Sequence, residues 1–278
     1  MKIDFLKETF NPLLLNSFLA ALGASISGGI VGTYIVVRRI VSISGSISHS
    51  MLGGIGLTLW IQYHLNLDIS PIYGALVGSI LLSIFIGKIH LKYREREDAL
   101  IAMIWSIGMA IGIILFSMIP GFNSELIDFL LGNILWINGK DLKTLFILDA
   151  VIVFTTIFCH NRFKAFCFDE KHMSLKGQSP QKWYFLLLAL VAAAIVLLIY
   201  IMGIILMLSM LVLPVAIACR FSYRMTKIMI VSSLLNIIFS FSGIIAAYFL
   251  DLPVGPTIAL LMGIFYGLSL CIKASVKA

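Results

Sequence analysis

The stretch SISGSISHSMLGGIGL, residues 42–57, decides how this chain is read. It carries Gly45, Gly53, Gly54 and Gly56, serines at 42, 44, 46, 48 and 50, and His49, all within a long apolar region. Glycine and hydroxyl loosen or expose helix backbone that lipid cannot hydrogen-bond. A membrane helix of this composition must therefore face protein or water. An imidazole held there either meets a neighbouring carbonyl or ligates a passing cation, and an ionisable group at membrane depth marks a functional site by default.

The rest of the chain supplies the membrane. Of 278 residues 60% are hydrophobic and only 12% charged, with a mean hydropathy of +1.06. Soluble domains do not approach these values. The first dozen residues mix acid and base and run into an apolar span with no small-residue cleavage site, so no removable leader is expected. Apolar runs of about 20 residues, the length a bilayer core requires, fall at 13–37, 46–63, 71–90, 99–118, 144–160, 183–201, 203–219, 228–250 and 256–272. The expected fold is all-α: one polytopic membrane helix bundle over residues 1–278, with about nine transmembrane helices. Residues 126–138, LIDFLLGNILWIN, are apolar but too short to span simply, and are expected as an extra interfacial or re-entrant helix on the outer side.

Charge sets the orientation. With the N-terminus outside and Arg38-Arg39 inside, sixteen of the twenty Lys and Arg fall on the inner side, and only Lys2, Lys7, Lys140 and Lys143 fall outside. Inner loops carry such a basic excess. The same placement argues against nucleic acid as the reason for the net charge of +7. If 126–138 spanned fully, every later loop would invert and the asymmetry would collapse. Residues 183–201 and 203–219 meet at Met202-Gly203, which predicts a tight hairpin or one broken helix. The span 228–250 contains Asn236 and a Ser-Phe-Ser-Gly turn at 240–243, which suggests burial in the bundle. The inner loop 161–182 reads as a short amphipathic helix stopped near a glycine.

Several chemistries are absent from the sequence. No G-x-x-x-x-G-K-[ST] phosphate loop occurs, and neither do a Gly-x-Ser-x-Gly elbow or a His-Glu-x-x-His pair. ATP hydrolysis by this chain is not expected, nor is any other enzyme activity. Cys159, His160, Cys167 and His172 gather at one inner boundary, but their spacing fits no established zinc pattern, and the twelve methionines read as packing. Asp149 lies inside the fifth span, where a charge is expensive and marks either a structural pair or a pathway. Asp98 suits the N-terminus of the fourth span. Glu125, Asp128 and Asp251 are the outer acids, and with few bases near them the outer mouth is expected to be mildly negative and to attract cations.

Four segments together carry a family resemblance: residues 42–57 above, REDALIAMIWSIGMAIG at 96–112, DFLLGNIL at 128–135 and LVLPVAIACRF at 211–221. In this order and spacing the chain resembles the permease subunits of bacterial ABC transporters for divalent metals, the zinc, manganese and iron uptake family. The resemblance extends over nearly the whole chain. It implies a multi-pass protein of the bacterial cytoplasmic membrane. Its implied partners are a cytoplasmic ATP-binding subunit, a second permease subunit (copy or paralogue) and an external metal-binding protein. No permanently bound cofactor is implied, only a divalent metal ion as cargo.

His49 matches the histidine of the family's Gly-Asp-Ala-Ile-Ser-His motif, in which aspartate and histidine one helical turn apart face the translocation path. Here Ser44 stands in the glycine's place and Gly45 in the aspartate's, so the carboxylate is gone. That leaves His49 as a transient ligand, supported by Ser46, a backbone carbonyl, water, or an acid of another helix such as Asp149. LVLPVAIACRF resembles the family segment that leads to the ATPase-docking surface. It implies that Pro214 bends the span, Ala216 and Ala218 allow close approach, and Arg220 and Arg224 anchor at headgroups or meet partner acids. The competing reading from the residues is a stand-alone carrier coupled to protons through His49 and Asp149.

Overall fold

The structure, a computed structural model, describes residues 12–67, 69–92, 97–119, 129–132, 134 and 137–271. Helix follows helix along the chain. These are α1 (Pro12–Arg38), α2 (Val41–Leu65), α3 (Pro71–Lys92), α4 (Glu97–Ser117) and α5 (Gly139–Phe168), then the short α6 (Glu170–Leu175), α7 (Pro180–Cys219), α8 (Met225–Leu250) and α9 (Val254–Cys271). No strand occurs among the described residues. Seven of these helices are long and apolar enough to cross a membrane. The glycine- and serine-rich α2, 25 residues long, is long enough but too polar to count with them.

The helices outrun the apolar runs that announced them, because their charged ends are helical too. The fifth span, expected at 144–160, extends over 139–168. Asn138 opens it by accepting the backbone N–H groups of Lys140 and Asp141 at 2.9 and 3.0 Å, which satisfies donors a helix start leaves free. The inner-loop helix is present as α6. Asp169 caps it by accepting from His172 N at 2.8 Å, and Gly177 follows at φ +72°.

One expectation needs correction: Ser240 to Gly243 form no turn. They lie within the continuous α8. Ser242 donates to Phe239 O at 3.2 Å within its own helix, and Gly243 faces α9, where a Cβ would press on Ile258.

The chain divides into two compact units. The first holds residues up to Thr33, Ile127–Phe154 and Leu197 onward, so it contains most of α1, the first half of α5, the later part of α7, and α8 and α9. Its close contacts depend on small residues. A Cβ on Gly29 would overlap Ser233, and one on Gly32 would overlap Leu211 O. Ser232 Oγ donates to Gly29 O at 3.1 Å. Small residues let membrane helices approach this closely, and hydroxyls then bond across the contact.

The part of 126–138 that is described belongs to this unit. Ser17 Oγ donates to Ile134 O at 2.8 Å and Asn16 Nδ2 to Ile137 O at 3.2 Å. Gly132, at φ +79°, meets the backbone of Met202 and Gly203. Gly203 has φ 77°, ψ 167° and interrupts α7. Both glycines adopt a backbone that other residues rarely tolerate, so the irregular segment lies against the break in α7.

The second unit holds Tyr34–Leu126 and Thr155–Val196. Around the end of α1, Tyr34 Oη meets His160 Nδ1 at 3.0 Å, and its ring packs edge-on against Phe163 at 5.4 Å. Arg38 pairs with Glu170 of α6 and lies 4.2 Å over the Phe166 ring. Within this unit α2 is packed between α3 and α4.

Candidate functional site

Glycine lets α2 sit between two neighbours. Towards α3, a Cβ on Gly54 would come within 2.7 Å of Gly74 O, and one on Gly74 would fall on the Thr58 hydroxyl. Towards α4, Gly53 and Gly56 each approach a carbonyl, of Gly108 and Gly112, to within 3.1 Å of where a Cβ would be. The polar composition that excluded lipid is thus largely taken up by protein.

The serines do the same work. Ser46 Oγ donates to Ile101 O at 3.2 Å and Ser50 Oγ to Ile104 O at 2.9 Å. Ser48 turns back to Gly45 O at 2.7 Å in its own helix. Ser46, named from sequence as support for a metal, has therefore committed its proton to α4, leaving only its lone pairs to offer.

His49 is the exception on this face, since it remains half-exposed. Its ring stacks on Trp105 of α4, with centroids 4.2 Å apart and planes 15° apart. Gly45, one turn earlier on the same face, lies beside that indole: a Cβ there would sit in ordinary contact, 3.6 Å from Trp105 Cζ3. Sequence reasoning missed Trp105. A large aromatic in the 96–112 segment, where the facing helix lacks a side chain, was the available signal.

Asp149 belongs to the first unit and His49 to the second. The carboxyl group of Asp149 lies near Ser27 of α1, whose hydroxyl donates to Gly23 O within its own helix; Asp149 is 7% exposed, and its Oδ1 has no hydrogen-bond partner in the structure. A buried carboxylate oxygen left open calls for a water or an ion. Among the described residues no three His, Cys, Asp or Glu side chains come together as a metal cage. His160 of the inner Cys/His group is engaged by Tyr34 instead.

The turn between α7 and α8 sorts its predicted residues by burial. Pro214 and Ala218 are buried and Ala216 is half-buried, so they shape the end of α7. The exposed part is the turn that follows, with Phe221, Tyr223 and Arg224 exposed and Arg220 half-exposed. Ser222 Oγ accepts from Arg224 N at 3.2 Å and tightens the entry to α8. Asp251, expected from sequence among the outer acids, is exposed and ends α8 at φ 52°. Glu125 and Asp128 lie outside the described residues.

Pro214 has a consequence the sequence did not reveal on its face. A proline has no N–H, so the carbonyl four residues earlier, that of Met210, loses its helix donor. Asn236 of α8 replaces it, with Nδ2 donating to Met210 O at 3.1 Å in the buried interior of the first unit.

Comparison with known proteins agrees with this picture. Residues 11–273 match the ABC 3 transport family. The chain is 67% identical over 274 residues to a probable metal transport system membrane protein of Chlamydia pneumoniae, covering 98% of this chain and 94% of that one. It is 29% identical to a probable iron transport system membrane protein of Haemophilus influenzae, covering 96% of each. Among solved structures, a chain of PsaBC from Streptococcus pneumoniae in complex with Fab superposes with a TM-score of 0.87 at 26% identity, covering 99% of this chain and 97% of that one. With the match running almost end to end, the chain belongs to the ABC 3 transport family.

Proposed function

We infer that this chain is the membrane-spanning permease subunit of an ABC importer that carries a divalent metal cation across the bacterial cytoplasmic membrane. The observation that carries this reading is the end-to-end family match, supported by full-length relatives named for metal transport. The chain has no phosphate loop of its own, so a separate cytoplasmic ATP-binding subunit supplies hydrolysis. A second permease subunit and an external metal-binding protein complete the assembly.

In this reading the cation enters past an outer mouth that includes Asp251, with Glu125 and Asp128 on the same side of the chain. His49 makes a passing contact with it, and Asp149, with its open oxygen, offers a carboxylate ligand. A site that lacks a second fixed ligand beside the imidazole holds the metal weakly, and transport requires release. Arg220 and Arg224, with the aromatic rings between them, form the inner docking turn. ATP binding and hydrolysis in the partner then drive alternating access.

The test is reconstitution with the ATP-binding subunit and the metal-binding protein, measuring which metal stimulates ATP hydrolysis and enters the vesicle. A divalent cation is expected to do both. His49→Ala is expected to lower uptake at limiting metal while the ATP-binding subunit still copurifies. Unchanged uptake in that variant removes His49 from the path, and no metal-stimulated hydrolysis at all overturns the importer reading.

A further inference from the structure

We propose that Arg162 and Trp183 hold the phosphate of an anionic phospholipid on the inner side of the membrane, with Phe158 and Leu186 along the path of its acyl chains. The proposal needs the chain to cross the membrane in the orientation its charges give, and it is independent of the metal path.

Two boundaries read from sequence meet at this place. Arg162 follows the apolar run that ends at 160, and Trp183 opens the run that begins at 183. Both belong to the second unit, whose packing brings the Arg162 guanidinium carbon to 5.2 Å from the centre of the indole. Phe163, itself buried, packs edge-on against the same indole at 5.8 Å, so the ring is held from the protein side. Trp183 is half-buried and Arg162 is exposed.

The cation in this stack lacks an anion. Among the described residues no carboxylate pairs with Arg162: of the two acids that follow α5, Asp169 caps α6 and Glu170 pairs with Arg38. Stacking on the ring fixes the plane of the guanidinium and leaves its N–H edge open. Phosphate oxygens meet such an edge in bidentate geometry. Lys182, exposed beside Trp183, adds a second positive charge.

One turn towards the membrane, Phe158 of α5 and Leu186 of α7 are both exposed. Helical spacing puts Phe158 on the face of Arg162 and Leu186 on the face of Trp183. Charge at the boundary with apolar surface beside it suits a lipid better than a soluble anion, and tryptophan favours the headgroup level. Basic sites between helices on the cytoplasmic side select anionic headgroups. Because Arg162 and Trp183 come from different helices, the bound lipid braces the inner ends of α5 and α7.

In the experiment the full-length chain, purified in detergent and stripped of lipid, is titrated with phosphatidylglycerol or phosphatidylcholine while its melting temperature is followed. The native protein is expected to rise by about 3 °C or more with phosphatidylglycerol and by about 1 °C or less with phosphatidylcholine. The phosphatidylglycerol concentration that gives half the shift is expected to increase about fivefold in Arg162→Gln and about threefold in Trp183→Leu, which removes the stack. Lys164→Gln is the control and is expected to respond as the native protein does. Lys164 is exposed and carries the same charge, but two residues along the helix it points away from Arg162.

A native response in Arg162→Gln overturns the proposal, and so does an equal loss in Lys164→Gln, which would make the effect one of net charge. Inorganic phosphate or glycerol phosphate that reproduces the shift overturns it too, because the site would then take a soluble anion. An Arg162→Gln chain that no longer copurifies with the ATP-binding subunit, yet keeps its response to phosphatidylglycerol, assigns the surface to that protein instead. None of these readouts depends on metal uptake.

Discussion

At the scale of single residues, the buried carboxylate is the feature whose chemistry is least satisfied by its surroundings. Asp149 Oδ1 has no partner although the residue is nearly sealed from solvent. If the group served packing alone, an amide of the same shape would serve as well. If it is a station for a cation, the amide loses the charge that makes it a good ligand. Asp149→Asn is therefore expected to leave the detergent melting temperature within about 3 °C of the native value while metal uptake falls severalfold. Uptake that stays level in a folded Asp149→Asn protein assigns the residue to packing. His49 was legible in sequence because an imidazole is the one ionisable group in the serine- and glycine-rich stretch 42–57. Trp105 was not, because its role depends on which helix packs against α2, and a single chain of letters does not contain that pairing.

At the scale of elements, position and type were readable and connections between elements were not. Each apolar run falls on a described helix, with 183–201 and 203–219 sharing α7, since roughly 20 apolar residues in a row leave a membrane chain little other choice. Hydropathy alone places charged ends such as Lys140–Lys143 in loops, because it cannot see a helix extending into water. Composition alone makes the Ser-Phe-Ser-Gly segment a turn. Its serines instead sit in a helix whose Gly243 makes room for Ile258.

The bond between α8 and the later part of α7 lends itself to measurement. Asn236→Ala leaves Met210 O buried without a donor and is expected to cost about 1–3 kcal/mol. Adding Pro214→Ala returns an N–H four residues after Met210 and is expected to recover part of that loss, with a coupling of about 1 kcal/mol or more in a double-mutant cycle. Denaturation of the four proteins in detergent gives the cycle. Losses that simply add would mean that the amide and the proline act independently.

At the scale of the whole molecule, topology depends on what happens at Gly203. An unbroken helix of 40 residues would extend about 60 Å, twice the hydrocarbon thickness of about 30 Å, and its apolar residues continue through most of that length. A single crossing would leave one half of it in water. Two crossings that reverse at Gly203 bury both halves, and the φ of 77° there ends the first helix where the reversal is needed. Charge makes the same choice, because Lys182 precedes the pair and Arg220 and Arg224 follow it, which places bases at both ends on the inner side.

The two topologies differ in one observable. Lys182 and Tyr223 are both exposed. They share a side of the membrane if the chain crosses twice and lie on opposite sides if it crosses once. Single-cysteine variants at these positions and at Asp251, in a chain whose Cys159, Cys167, Cys219 and Cys271 have been replaced, are treated with a membrane-impermeant maleimide. Labelling at 182 and 223 is expected only after the membrane is opened, and labelling at 251 in intact cells. Labelling of 182 and 223 from opposite faces would restore a single long crossing. It would also invert every loop beyond α7, and the basic excess on the inner side would go with it.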